Sequence, residues 1–195
     1  MKGEGLAPLP RSFYERPTAR VARDLLGKVI VRRPEDGGPP RMARIVEVEA
    51  YLGLKDQASH ARRGPTPRSA IMFGPPGHLY TYLVYGMHVC ANFVTERDGV
   101  AGAVLIRAAQ LLDDGAHPAA LRGPGKLCRG LGVTLAHKGL DLTAPTRGLW
   151  VADDGEARLR VARSARIGVD YAGEWAARPL RFFVSGHPSV SGPRG

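Results

Sequence analysis

A chain of 195 residues, 44% of them hydrophobic, is long enough to bury its own core as one domain, and its 25 glycines and 16 prolines argue for many turns and against a helix bundle. Lys and Arg outnumber Asp and Glu by 28 to 18, and the formal net charge of +10 points to polyanionic partners. Acidic residues are missing from Gln57 to Thr95 and from Gly115 to Leu140, a distribution that would give a continuous positive face. One domain over 1–195 is expected, with 1–8 and 187–195 as flexible ends. The N-terminus carries no apolar run suited to a signal peptide or membrane span, so a cytoplasmic protein without a membrane partner is expected, nucleoid-associated in a bacterium. Cys90 and Cys128 lack the paired spacing of a metal or redox motif and read as reduced, packed residues.

Taken in order, Thr18 is placed to cap a short helix through Val21, Ala22 and Leu25 that stops at Gly27, followed by a strand over 28–33. From Arg44 the residues alternate. Ile45, Glu47, Glu49 and Tyr51 are expected on one strand face, and Val46, Val48 and Ala50 on the other. The Gly/Pro/Arg-rich stretch between Leu52 and Gly77 is too long for an ordinary connection and reads as functional or mobile. Two β-rich runs, 78–85 and 88–95, then flank Gly86-Met87, which suits a two-residue type II′ hairpin turn with Tyr85 beside a projecting tip. A strand over 103–109, a helix start at Gly123-Pro124-Gly125-Lys126, and short strands around Trp150, Val161 and 180–184 complete the pattern.

Two carboxylates, Glu47 and Glu49, share a predicted strand face with the Tyr51 phenol, an arrangement open to general-base work and equally to a solvated surface. Four of the six tyrosines fall between 51 and 85, interleaved with Arg62, Arg63 and Arg68. Rings that stack on bases and cations that neutralise phosphates are what nucleic-acid binding requires. His60, His78 and His88 match no common ligand spacing, so no metal or other cofactor is expected. These features leave open both an enzyme acting on nucleic acid and a non-catalytic binding module.

In order along the chain, Arg44-Ile-Val-Glu-Val-Glu-Ala-Tyr-Leu-Gly53, His60, Thr66-Pro-Arg68, Leu79-Tyr-Thr-Tyr-Leu-Val-Tyr-Gly-Met87, Asn92, Leu105-Ile-Arg107, Gly123-Pro-Gly-Lys-Leu-Cys128 and Arg166-Ile-Gly-Val-Asp-Tyr-Ala-Gly-Glu-Trp175 resemble the alkyladenine, or methylpurine, DNA glycosylase family. The resemblance implies an α+β fold on a curved, mainly antiparallel sheet with a protruding β-hairpin and a few short helices. It implies a monomeric, monofunctional glycosylase without cofactors, acting on alkylated or deaminated purines in damaged double-stranded DNA. It assigns Glu49 and Arg107 to catalysis and Tyr51, His60, Tyr82 and Asn92 to the base pocket. Tyr85, with Met87, matches the wedge that fills the space a flipped nucleotide leaves. Arg63, Arg68, His88 and Lys126 are expected at the DNA backbone.

Two expectations follow from combining the patterns. A regular hairpin turning at Gly86-Met87 puts Tyr82 and Asn92 on opposite faces, whereas the resemblance implies that both line one pocket, which a bulge or strong twist near Ala91 would reconcile. No lysine is expected near the site residues, which favours hydrolysis over Schiff-base chemistry.

Overall fold

The computed structural model describes residues 5–35, 37–144, 147–156 and 159–192. Among the described residues three short α-helices, α1 (Arg11–Tyr14), α2 (Thr18–Leu25) and α3 (Pro124–Gly130), accompany eight strands: β1 (Val29–Arg32), β2 (Arg41–Tyr51), β3 (Leu79–Val84), β4 (His88–Val94), β5 (Ala103–Leu111), β6 (Leu149–Ala152), β7 (Val161–Ser164) and β8 (Arg181–Val184). The strands form one sheet in the order β3-β4-β5-β2-β1-β6, with β8 pairing both β2 and β7, and each of these pairings is antiparallel. The expected α+β architecture with a mainly antiparallel sheet is what the chain adopts.

Helix α2 presents Thr18, Val21, Ala22 and Leu25 inward, the i, i+3, i+4, i+7 spacing of one helix face. Val21, Ala22 and Leu25 pack with Ile45, Val48, Ala50, Val104 and Ile106 in the main core. Thr18 is the first helical residue and not the cap. Pro17 precedes it with no side-chain cap, and Glu96 supplies the missing oxygen: its Oε1 accepts from the Thr18 backbone N–H at 2.6 Å and from the Thr18 hydroxyl at 2.7 Å. A carboxylate there also suits the positive end of the helix.

The alternation expected of β2 is broken. Ile45 pairs with Ala109 and Glu47 with Ala108, a β-bulge centred on Val46. Ile45 therefore joins Val48 and Ala50 in the main core, while Val46 packs with Phe183, Val184 and Val190 on the other side. Glu47, Glu49 and Tyr51 keep their common face, beyond the bulge.

The hairpin also differs from the expected one. The turn is formed by Tyr85 and Gly86, both left-handed at φ 51° and 67°, and the Met87 N–H donates to the Val84 carbonyl. Both φ angles are positive, and Met87 adds a third unpaired residue to the tip. Val84 pairs with His88 across it, and the register then runs unbroken to Leu79 opposite Phe93. Tyr82 lies opposite Cys90 and Tyr80 opposite Asn92. The extra tip residue thus puts Tyr82 and Asn92 on one face without any bulge at Ala91.

Of the ends expected to be flexible, 1–4 and 193–195 lie outside the described residues, and the described parts are tied to the sheet. The Leu9 N–H donates to the Val151 carbonyl, Trp150 Nε1 donates to the Leu6 carbonyl, and Pro8 forms a bridge with Ala152. Val190 is buried and the Ser191 N–H donates to Glu47 at 2.5 Å, so 187–192 packs onto the sheet. No helix among the described residues is long and apolar enough to cross a membrane.

Candidate active site

Register alone assembles the site. Glu49 on β2 lies opposite Leu105 on β5, Leu105 opposite Asn92 on β4, and Asn92 opposite Tyr80 on β3. These residues form one row across four strands, and side chains two positions along share their face. That places Tyr51, Tyr82, Cys90, Ala103 and Arg107 beside the row. A cavity of about 750 Å³ opens over it, and its walls include Tyr51, His60, Arg68, Tyr82, Asn92 and Arg107.

The 52–77 connection, three short 3-10 turns anchored by buried Ala58, Ala61 and Met72, carries His60 and Arg68 to the cavity. The His60 ring meets Tyr82 edge-on at 4.6 Å between centroids, and its Nδ1 lies 2.9 Å from the Tyr80 hydroxyl. Burial, with Arg68 and Arg62 nearby, pushes the His60 pKa down to about 4, so the ring is neutral at physiological pH.

Glu49 is fully enclosed and stands behind the cavity wall, touching three residues that line it. Its Oε2 accepts from the Tyr51 hydroxyl at 2.8 Å, and its Oε1 accepts from the Ile167 N–H at 2.8 Å and lies 3.3 Å from the Arg107 guanidinium. Burial, followed by the nearby Glu49 charge, raises the Tyr51 pKa well above the usual phenol value and keeps this hydroxyl a donor. Arg107 bridges the two carboxylates, its Nε donating to Glu47 at 3.0 Å. Glu47 also accepts from Arg181 at 2.8 Å and from the Ser191 N–H. Burial pulls the Glu47 pKa upward, but the Ser191 N–H and the two arginines outweigh it and hold the carboxyl below its ordinary range. Two cations thus balance two buried anions.

A family model described as methylpurine-DNA glycosylase matches residues 12–188. The chain belongs to this family. Proteins named putative 3-methyladenine DNA glycosylase are similar to it over nearly its whole length. One from Anaeromyxobacter dehalogenans is 53% identical over 186 residues, covering 95% of this chain and 86% of its own. One from Methanocella arvoryzae is 49% identical, covering 94% and 95%. One from Legionella pneumophila is 43% identical, covering 94% and 97%. The protein is accordingly a DNA glycosylase, a hydrolase of N-glycosyl bonds in base excision repair.

On the glycosylase, the residues picked out by sequence fall into two groups. Tyr51, His60, Tyr82, Asn92 and Arg107 meet at the cavity, with Glu49 directly behind. Tyr85 and Met87 project from the hairpin tip, 88% and 71% exposed. His88 and Lys126 line the cavity mouth beside Tyr85, where α3 comes so close to the hairpin that a Cβ on Gly125 would sit 3.2 Å from His88. The expectation that no lysine lies near the site residues is therefore corrected: Lys126 shares their cavity. Arg63 is exposed on the 3-10 turn after His60 and is absent from the cavity lining. Arg68, expected at the DNA backbone, is found over the Tyr82 ring, 5.0 Å from its centroid.

A buried ion pair, not foreseen from the sequence, supports the site from below. Arg166 grips both oxygens of Asp56, at 2.5 and 2.8 Å, and donates to the Ala50 carbonyl at 2.9 Å. Both side chains are fully buried, and the guanidinium lies over the Tyr51 ring. Asp56 in turn accepts from the N–H groups of Leu52 and Ala58. One pair thus locks the chain leaving β2, the Tyr51 ring, and the segment that offers the Ile167 N–H to Glu49. Both partners sit in irregular segments, where no periodicity marks them.

Proposed function

We propose that the protein flips a damaged purine out of duplex DNA into this cavity and hydrolyses its N-glycosidic bond with water activated by Glu49. The observation that carries this reading is the row from Glu49 to Tyr80. It places one enclosed carboxylate against the aromatic wall of a cavity of about 750 Å³ whose mouth is flanked by an exposed tyrosine.

Within the duplex a base hides its glycosidic carbon, so extrusion precedes chemistry and costs a few kcal/mol. Tyr85, with Met87, offsets that cost by stacking where the nucleotide stood. Tyr85→Ala should weaken lesion-duplex binding by about 1–3 kcal/mol, the usual worth of a stacked ring, and leave undamaged duplex binding nearly unchanged. Equal losses on both duplexes, read by fluorescence anisotropy, would make Tyr85 a general DNA contact. His88 and Lys126 are assigned to phosphates around the mouth, and Arg63 to the DNA backbone.

In the pocket the purine packs among Tyr51, His60 and Tyr82. Among the described residues Oε2 of Glu49 accepts a single hydrogen bond, from Tyr51, and retains acceptor capacity for a water. Glu49 takes the proton of that water as the bond to the base breaks, and its charge stabilises the oxocarbenium-like sugar. Arg107 fixes the carboxylate, and hydrolysis leaves an abasic site in an unbroken strand.

Asn92 is assigned to rejecting guanine. It is buried in the cavity wall and its Nδ2 donates to the Tyr80 carbonyl at 3.1 Å, which holds the amide in one orientation. Guanine differs from adenine-like purines by its N2 amino group, and a fixed amide against that edge excludes it by clash. Asn92→Ser should raise guanine release relative to hypoxanthine from mismatched duplexes, by about tenfold if one clash of order 1–2 kcal/mol is relieved. An unchanged ratio in a folded variant would leave Asn92 a structural residue.

The reading is tested by incubating the protein with alkylated duplex DNA and chromatographing the solution for free purine. Release of methylpurine is expected. A protein that retards the DNA on a gel but liberates no base would instead be a binding module.

A further inference from the structure

We infer that Arg68 is a specificity-determining residue that biases the pocket toward neutral damaged purines over purines carrying a positive charge. The inference rests on the reading of the cavity as the base pocket. Tyrosine walls on their own would draw cationic alkylpurines by ring-face attraction. Here each of those rings already has a protein cation over it: Arg68 over Tyr82 at 5.0 Å, Arg166 over Tyr51 at 4.7 Å, and Lys138 over Tyr80 at 5.8 Å. A cation at a ring withdraws the electron density that a second cation would seek.

The charges around the cavity point the same way. Its lining contains Arg68, Arg107, Lys126 and Arg129, and among the described residues no Asp or Glu. The nearest carboxylate, Glu49, is enclosed behind Tyr51 and Arg107 and is engaged with Arg107. Arg107 is balanced by Glu47 and Glu49, and Arg166 by Asp56. Arg68 has no such acidic partner among the ion pairs of the described residues. Its charge is felt in the pocket, where, after burial, it helps keep His60 neutral. A neutral purine stacked on Tyr82 meets this guanidinium at no Coulomb cost and offers ring-edge acceptors to it. A cationic purine at the same place is repelled, with solvent around the exposed Arg68 reducing the repulsion to a fraction of its bare value.

The test compares three duplexes that differ in one base: hypoxanthine and 1,N6-ethenoadenine, both neutral, and 7-methylguanine, which is cationic. Single-turnover release is measured with enzyme in saturating excess, so that a lost phosphate contact does not enter the rate. Arg68→Gln should raise 7-methylguanine release relative to either neutral base by about tenfold, a fraction of the bare repulsion. Arg68→Lys, which keeps the charge, should stay within about twofold of the wild-type ratio. An unchanged ratio in Arg68→Gln would overturn the inference and return Arg68 to the backbone contacts, and an equal shift in both variants would replace charge by shape. A wild-type protein that releases none of the three bases would refute the glycosylase pocket itself.

Discussion

Glu49→Gln should slow single-turnover base release by about 10²–10⁴-fold, the usual worth of a positioned general base, while lesion-duplex affinity stays near that of the wild type. Glutamine preserves the side-chain shape and can still accept at its amide oxygen, so the Ile167 N–H at 2.8 Å keeps its partner. It removes the charge that faces Arg107 and the basic oxygen that would take a proton from water. Glu47→Gln is the control. Glu47 holds Arg107, Arg181 and the Ser191 N–H, so its loss acts first on stability. Per folded molecule it should release base far faster than Glu49→Gln. Near-normal release by the Glu49 variant would remove the carboxylate from the reaction.

Arg166→Met should be the most damaging of these changes for the fold. It leaves the Asp56 carboxylate fully buried with two N–H donors and no counter-charge, and breaking a buried ion pair from one side costs roughly 3–5 kcal/mol. For a domain of this size that lowers Tm by roughly 6–20 °C. The double variant Asp56→Leu, Arg166→Met should recover much of the loss, because the unpaired charge, more than the missing attraction, is what destabilises. Calorimetry that finds the double variant no better than the single would mean that the backbone bonds of Arg166, to Ala50 above all, carry the stability.

How far the site was legible in the sequence depends on where its residues lie. Glu49, Tyr51 and Tyr82 sit on strands whose period of two exposes a shared face, and the ordered motifs that carry the family resemblance named their roles. The β2 bulge was not legible, because Val46 and Ile45 are both apolar and satisfy either face. The hairpin tip is ambiguous in sequence for a related reason. Gly86 marks a turn, but whether it takes the first or second central position depends on Tyr85 accepting a left-handed φ of 51°, which a tyrosine seldom does. The register, and with it the faces of Tyr82 and Asn92, is set by Met87 staying unpaired as a third loop residue between Val84 and His88. Asp56, Arg166 and the position of Arg68 lie in segments without periodicity, where three-dimensional proximity leaves no local trace.

That this pocket hydrolyses a glycosidic bond is tested most directly by following one end-labelled strand bearing a single hypoxanthine in duplex, with the free base collected from the same reaction. Hydrolysis by a Glu49-activated water predicts one free purine for each site that breaks in hot alkali, and no strand breaks before alkali. Breaks without alkali would contradict it and turn attention to Lys126, whose amine lines the same cavity. Binding with neither free base nor alkali-labile sites would contradict the hydrolytic reading altogether.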